Sequence, residues 1–348
     1  MHISDLFGIE FPIIQAPMAG VQGSALAAAV LAAGGLGSLP AAMLSGEALR
    51  SEVEAIRKQT DRPFNVNFFC HTEPQFDDAR DAKWRKALAP YYDELGVARD
   101  AASKGPSRAP FNDDHAAVIE ELRPAVVSFH FGLPEEKLFE RVRQTGAKIL
   151  SSATTVDEAR WLEERGVDAI IAQGAEAGGH RGMFLTDDVT TQLGTFALLP
   201  QIVDAVSVPV ISAGGIADAR SVAAAFRLGA AGVQAGTAYL LCPEATTSAV
   251  HRAALQSEAA RHTAITNVIT GRPARGIVNR IMRELGPMRA DIPAFPLASA
   301  AVTPLRAAAE ARGSGDFSPL WAGENAPYCR AISAEEVTRE LASGVVQS

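Results

Sequence analysis

Eight short apolar runs, most of them separated by a stretch of helical character, constrain this chain more than any other feature. The runs are Pro12–Ala16, Leu36–Leu39, Phe64–Phe68, Ala125–Phe129, Lys148–Ser151, Ala169–Ala172, Pro209–Ser212 and Gly232–Gln234. Between most of them lie amphipathic stretches such as Ser24–Ala33, Glu47–Gln59, Pro134–Thr145, Val156–Arg165, Ala197–Val206 and Ala219–Leu228. Strands joined through helices pair in parallel by right-handed crossovers. Any single run is ambiguous; their repetition carries the assignment. Eight units predict a closed (β/α)8 TIM barrel rather than an open doubly wound sheet.

Two regions break the rhythm. Residues from about 70 to 114 interrupt the third unit with a charged helical stretch, Asp77–Leu95, and a polar loop, Lys104-Gly105-Pro106-Ser107-Arg108. Residues 246–315 follow the last strand and read as helices broken by Gly271-Arg272-Pro273, Gly286-Pro287 and Ile292–Pro296. The expected organisation is therefore a barrel over 1–245, a helical lid over 246–315, and a segment 316–348 that returns to the barrel. That last segment closes with a helix over Ala334–Ser343, capped at Ser333.

Bulk properties narrow the classes of function. Of the 348 residues 47% are hydrophobic and 21% charged, which fits a globular protein with a sizeable core. A net charge of −8 argues against nucleic acid as the main partner. No apolar run is long enough to span a bilayer, and Met1–Phe7 lacks the plan of a signal peptide. The expected location is the cytoplasm. Cys70, Cys242 and Cys329 stand far apart and suggest neither a disulfide framework nor a metal site. An apolar face on the helical addition would pair two copies as a homodimer.

Barrel sites form at the carboxyl ends of the strands. The sixth strand runs into Gln173-Gly174-Ala175-Glu176-Ala177-Gly178-Gly179-His180, a glycine-rich loop with one histidine. Gly178 and Gly179 allow close backbone approach to a ligand, and His180 is the catalytic candidate because its ordinary pKa lies nearest neutrality. His130, after the fourth strand, faces either substrate or a buried hydrogen-bond partner. Glu176 reads as a solvated carboxylate, or else as an acceptor of loop N–H groups. Arg181 reads as a surface residue. His2, His71, His115, His251 and His262 lie away from the strand ends and read as structural or surface residues.

The seventh and eighth strands end in Ser212-Ala213-Gly214-Gly215 and Gln234-Ala235-Gly236-Thr237. Glycine turns at these two positions, followed by a helix start, favour a phosphate. No Gly-x-Gly-x-x-Gly or Walker sequence is present. Ala16-Pro17-Met18 offers a flat apolar surface, and Asn67 and Gln173 supply amides for the edge of a heteroaromatic ring. A planar ring with polar edges and one phosphate tail describes FMN.

These residues resemble the nitronate monooxygenases, formerly called 2-nitropropane dioxygenases. The likeness is carried by Ala16-Pro17-Met18-Ala19-Gly20, Asn65-Val66-Asn67, Val127-Ser128-Phe129-His130-Phe131-Gly132, the loop ending at His180, and Ser212-Ala213-Gly214-Gly215-Ile216. It spans Phe11 to Leu241 and returns at Ser318–Gly323, where Glu324-Asn325 replaces the Gln common in relatives. The resemblance implies an FMN-bearing barrel with His180 over the flavin. It also implies oxidation of an alkyl nitronate, or of its parent nitroalkane, by O₂ to a carbonyl compound and nitrite without a pyridine nucleotide. His180 would then act as general base toward a neutral nitroalkane, or stabilise the charge of an anionic nitronate. A similar histidine loop occurs in the FMN-dependent enoyl-acyl-carrier-protein reductases, which take hydride from NAD(P)H. A phosphate-binding barrel without redox chemistry is the third reading.

Overall fold

A computed structural model of the chain describes residues 3–99 and 108–345. The Lys104–Ser107 part of the expected polar loop, with His2, lies outside the described residues. Eleven strands are present: β1 Ile13–Gln15, β2 Ser38–Pro40, β3 Asn65–Phe69, β4 Val126–His130, β5 Lys148–Ala153, β6 Ala169–Gln173, β7 Gly179–His180, β8 Val210–Ala213, β9 Gly232–Ala235, β10 Thr263–Thr266 and β11 Ala274–Ile277. Eight of them pair in parallel in the order β1-β9-β8-β6-β5-β4-β3-β2. A further parallel bridge, Ile14 to Leu36, joins the two ends, so the sheet curls into a TIM barrel. All eight sequence-read runs are these strands, with no end moved by more than two residues.

Alternation along each strand sorts the barrel's side chains into two layers. Ile14, Leu36, Val126, Leu150, Ile171 and Ile211 point inward and pack on Ile3 and Phe7 of the short helix Ile3–Phe7. Ile13, Val66, Val127, Ile149, Ile170, Val210 and Val233 point outward against the helices. Those helices begin where a side chain satisfies free N–H groups. Ser45, Asn112 and Thr155 each accept one, and Asp218 and Ser333 form capping boxes with Ser221 and Glu336.

A second apolar cluster lies outside the barrel. The helix Asp78–Leu95 lays Trp84, Leu88, Tyr91, Tyr92 and Leu95 against Val302, Leu305 and Ala309 of the helix Ser299–Glu310. Trp84 Nε1 donates to the Ala298 carbonyl at 3.2 Å, and Tyr92 Oη to the Ala301 carbonyl at 2.6 Å. The two interruptions of the barrel rhythm are thus packed on each other.

Within the mainly helical addition after the last strand, the reading of Gly271-Arg272-Pro273 as a helix break is corrected here. β10 and β11 form an antiparallel pair, and β7 adds to the β11 edge with Ala274 opposite His180. Gly271-Arg272-Pro273 connects two strands instead of breaking a helix. The runs Thr263-Ala264-Ile265-Thr266 and Ala274–Ile277 are four residues each, too short for periodicity to distinguish strand from helix. Among the described residues no helix is long and apolar enough to cross a membrane.

Candidate active site

Inward positions near the carboxyl ends of the strands carry amides and hydroxyls instead of aliphatics. Asn65 Nδ2 donates to Ser38 Oγ at 3.0 Å and Ser128 Oγ at 2.9 Å, and Asn67 Nδ2 donates to Ser128 Oγ at 3.0 Å. Gln22 reaches back under the first loop: its Nε2 donates to the Ser38 carbonyl at 2.6 Å, and its Oε1 accepts from Met18 N at 2.9 Å. This buried layer fixes the Ala16-Pro17-Met18 turn at the barrel mouth. Asn65 stands in the Asn65-Val66-Asn67 motif read from sequence, but Gln22 has no sequence signal, being an isolated polar residue until the barrel closes.

Above that layer stands the histidine loop. Gly178 passes so close to the 321–325 segment that a Cβ would lie 2.6 Å from Ala322 C and Gly323 N. Gly179 has φ +76°, the left-handed region. The His180 carbonyl accepts from Gln173 Nε2 at 3.0 Å and from His130 Nε2 at 3.1 Å. Gln173 Oε1 in turn accepts from Gly182 N at 2.7 Å, so both ends of that amide hold the loop. His130 Nδ1 meets Ser152 Oγ at 3.0 Å. Both ring nitrogens of His130 are thus hydrogen-bonded within the protein, while the half-buried ring also lines the cavity.

Arg181 is a correction. It is fully buried, not a surface residue: Nη1 and Nη2 donate at 2.7 Å to the carbonyls of Gly174 and Gln173, and Nε to Gln192 Oε1 at 2.9 Å. Glu176 is likewise no solvated carboxylate. It accepts from Thr195 N and Thr195 Oγ1 at 2.8 Å and pins the other limb of the loop.

The His180 ring meets Thr270 Oγ1 through Nε2 at 2.9 Å. Its Nδ1 has no protein partner among the described residues and is not sealed from the cavity. Phe69, Phe131, Phe295 and Trp321 surround the ring, with Phe295 at 5.1 Å and Trp321 at 5.6 Å between centroids. Burial first, and then the Arg108 guanidinium, push its pKa well below 6.5, so the ring is neutral at pH 7. Burial also lowers His130 to about 3, and His71 and His251 to about 4.

One cavity of about 260 Å³ gathers these parts. Ala16, Pro17, Met18, Asn67, His130, Gln173, Gly178, Gly179, His180, Gly214, Gly215, Gln234, Gly236 and Thr237 all line it. Gly214 and Gly215 have φ of +112° and +70°, conformations that favour glycine. Ser212 is the exception among the expected site residues. It shares the outward parity of Val210, opposite to Ile211 and Ala213, and is fully buried on the helix side. The period of two along the strand forces this. Arg108, His251, Arg306, Trp321 and Asn325 also line the cavity and were not predicted. The returning Ser318–Gly323 segment gave the sequence signal for Trp321, and Asn325 follows directly on it; Arg108, His251 and Arg306 lie on segments that reach the mouth only in the folded chain.

The chain matches the family model described as nitronate monooxygenase over residues 1–344. It is 44% identical over 346 residues to a protein of Paraburkholderia phytofirmans named nitronate monooxygenase, covering 99% of this chain and 94% of that one. To the Pseudomonas aeruginosa protein of the same name it is 43% identical, covering 97% and 96%. Among solved structures, nitroalkane oxidase from Streptomyces ansochromogenes superposes with a TM-score of 0.88 at 38% identity, covering 98% of both chains. FabK from Thermotoga maritima superposes less well, at 0.72 and 27% identity, covering 98% and 94%.

Proposed function

The chain belongs to the nitronate monooxygenase family, and from that premise we propose that it binds FMN at the barrel mouth and oxidises alkyl nitronates with O₂ to a carbonyl compound and nitrite. The observation that carries this is the convergence on one cavity of a neutral His180 with an open Nδ1, the Ala16-Pro17-Met18 surface and both glycine turns.

The residues present fit such a cofactor. Gln234 Oε1 is buried without a partner among the described residues, as an acceptor reserved for a ligand would be. Thr237 Oγ1 accepts from Gly323 N at 2.9 Å, so its hydroxyl proton is free to turn toward an anion. Gly236 faces Ala16 Cβ at 3.3 Å and Met18 Sδ at 3.5 Å from where its own Cβ would stand, leaving a narrow trough beside the first loop. The phosphate would be held by Gly214-Gly215 and Gly236-Thr237, and the ring by Ala16-Pro17-Met18, Asn67 and Gln234, with Gly178 and Gly179 allowing close approach. FMN, when bound, supplies electron exchange between the organic substrate and oxygen.

His180 then works as a neutral imidazole. Its low pKa makes it a weak base for a carbon acid. It suits a substrate that arrives already ionised, which it orients by donating from Nδ1–H while Nε2 accepts from Thr270 Oγ1 and fixes the ring. Phe69, Phe131, Phe295 and Trp321 exclude water from the reacting carbon. Gln173 and His130 set the height of the ring by holding its carbonyl. We read residues 246–315, together with the 78–95 helix, as the lid that shapes the substrate end.

The test is an absorption spectrum of the purified protein, followed by oxygen uptake and nitrite release with propyl-1-nitronate. A flavin spectrum and uptake matched to nitrite are expected. Rapid anaerobic bleaching of the flavin by NADH or NADPH, without nitronate turnover, would favour the enoyl reductase reading instead.

A further inference from the structure

Three guanidinium groups stand near the substrate end of the cavity, and they are not equivalent. Arg272 lies 4.1 Å from the Phe131 ring centroid and donates to the Met183 carbonyl. Arg306 is paired through Nε with Glu310 at 2.8 Å, whose Oε1 also accepts from Ser318 at 2.7 Å. Arg108 has neither a carboxylate nor a carbonyl partner among the described residues. Its Nη1 donates to Ser299 Oγ at 3.2 Å, and its Cζ lies 5.9 Å from the Phe295 centroid. A hydroxyl and an aromatic face hold a guanidinium in place without neutralising it. Burial and the nearby Arg306 both oppose its charge. Phe295 is the ring that also flanks His180. An uncompensated cation on the wall of a shared cavity is costly unless a ligand supplies the opposite charge.

We propose that Arg108 is the substrate-binding residue that grips the anionic nitronate group and presents it to His180. The proposal rests on the nitronate reading of this site. A nitronate is planar, with its charge spread over two oxygens, and the guanidinium fork matches that shape with two parallel N–H donors. A neutral nitroalkane offers similar atoms but no net charge. Arg108 therefore selects the ionised form, as well as adding affinity. The groups facing His180 are Arg108, Arg272, His130 and His71. Burial keeps the two histidines neutral at pH 7, so the positive field at His180 comes from the two arginines.

The experiment compares wild type, Arg108→Gln and Arg108→Lys in oxygen uptake with propyl-1-nitronate, whose one charge is the nitronate itself. Nitrate serves as a planar anionic inhibitor, and 1-nitropropane as the neutral competitor. Arg108→Gln should raise KM for the nitronate and Ki for nitrate by about tenfold or more, with kcat changed far less. Binding of 1-nitropropane should stay within about twofold, since a neutral group loses only weak contacts. Arg108→Lys should recover part of the loss, because charge returns without the fork. The pH profile should move too: loss of one positive neighbour raises the pKa assigned to His180. An unchanged nitronate KM in Arg108→Gln, or equal weakening for nitronate and 1-nitropropane, overturns the assignment alone. A wild type that consumes no oxygen with any nitronate overturns it together with the reading beneath it.

Discussion

The two sides of the cavity are built in different ways. The proposed cofactor side is local and made mainly of backbone: the turns after β8 and β9, whose glycines lie within residues 214–237 and whose φ values of +112° and +70° at Gly214 and Gly215 follow from residue type. The proposed substrate side is assembled from side chains far apart in the chain: Phe69, Arg108, His180, His251, Thr270, Phe295 and Trp321. A backbone cradle needs only glycine and a strand end. A side-chain wall needs the second apolar cluster to bring its segments together. The two halves should therefore respond to different perturbations.

His180→Asn sits on the boundary and should give the largest effect. Turnover of the nitronate should fall about 10²–10³-fold, as for loss of one preorganised hydrogen-bond donor, while flavin content stays at the wild-type level. Spectra and oxygen uptake on the same sample check this, and loss of flavin would erase the proposed division between the halves. Trp84→Ala comes next. It removes a buried ring from the lid core and the donor to the Ala298 carbonyl, and should cost about 3–5 kcal/mol in urea unfolding. If the wall depends on that core, KM rises while flavin affinity holds. Gly236→Leu should do the reverse. Its Cβ starts 3.3 Å from Ala16 and the rest of the side chain fills the trough, so flavin affinity should drop on the order of tenfold or more, an overpacking cost of about 1–3 kcal/mol. Unchanged flavin titration would refute that placement of the cofactor.

Taken one pH unit at a time, the smallest effect is set by pH and falls on the proposed substrate side. His71 and His251 are buried, with pKa values lowered from 6.5 to about 4. The unfolded chain takes up their protons first, so their contribution is whole above pH 6.5 and is lost as pH falls toward 4. Each should remove up to ~1.4 kcal/mol per pH unit across that window. Urea midpoints at pH 7, 6 and 5 test this, and His251→Phe should flatten the slope.

The barrel was legible because each of its eight strands is a local event, repeated often enough to outweigh the ambiguity of any one. The glycine turns and the His180 loop were legible for the same reason. The β10–β11 pair escaped because four-residue runs carry no readable period, and a turn such as Gly271-Arg272-Pro273 can end a helix or join two strands. Ser212 was placed in the site by proximity in sequence, yet its parity along β8 sends it to the helix layer. Arg181 and Glu176 look like ordinary charged surface residues in the chain. What makes them anchors, Arg181 fully buried and Glu176 half-buried, is the supply of carbonyls from Gln173 and Gly174 and of the N–H of Thr195.

The sequence by itself determined the architecture, the strand ends that form the mouth, and the histidine that faces it, because hydrophobic period and glycine placement act over a few residues. Only the tertiary structure decided which side chains surround that histidine and in what charge state it works. Desolvation and Coulomb interaction depend on distance through space, and Arg108, Phe295 and Thr270, distant from His180 in sequence, come near it only in the folded chain.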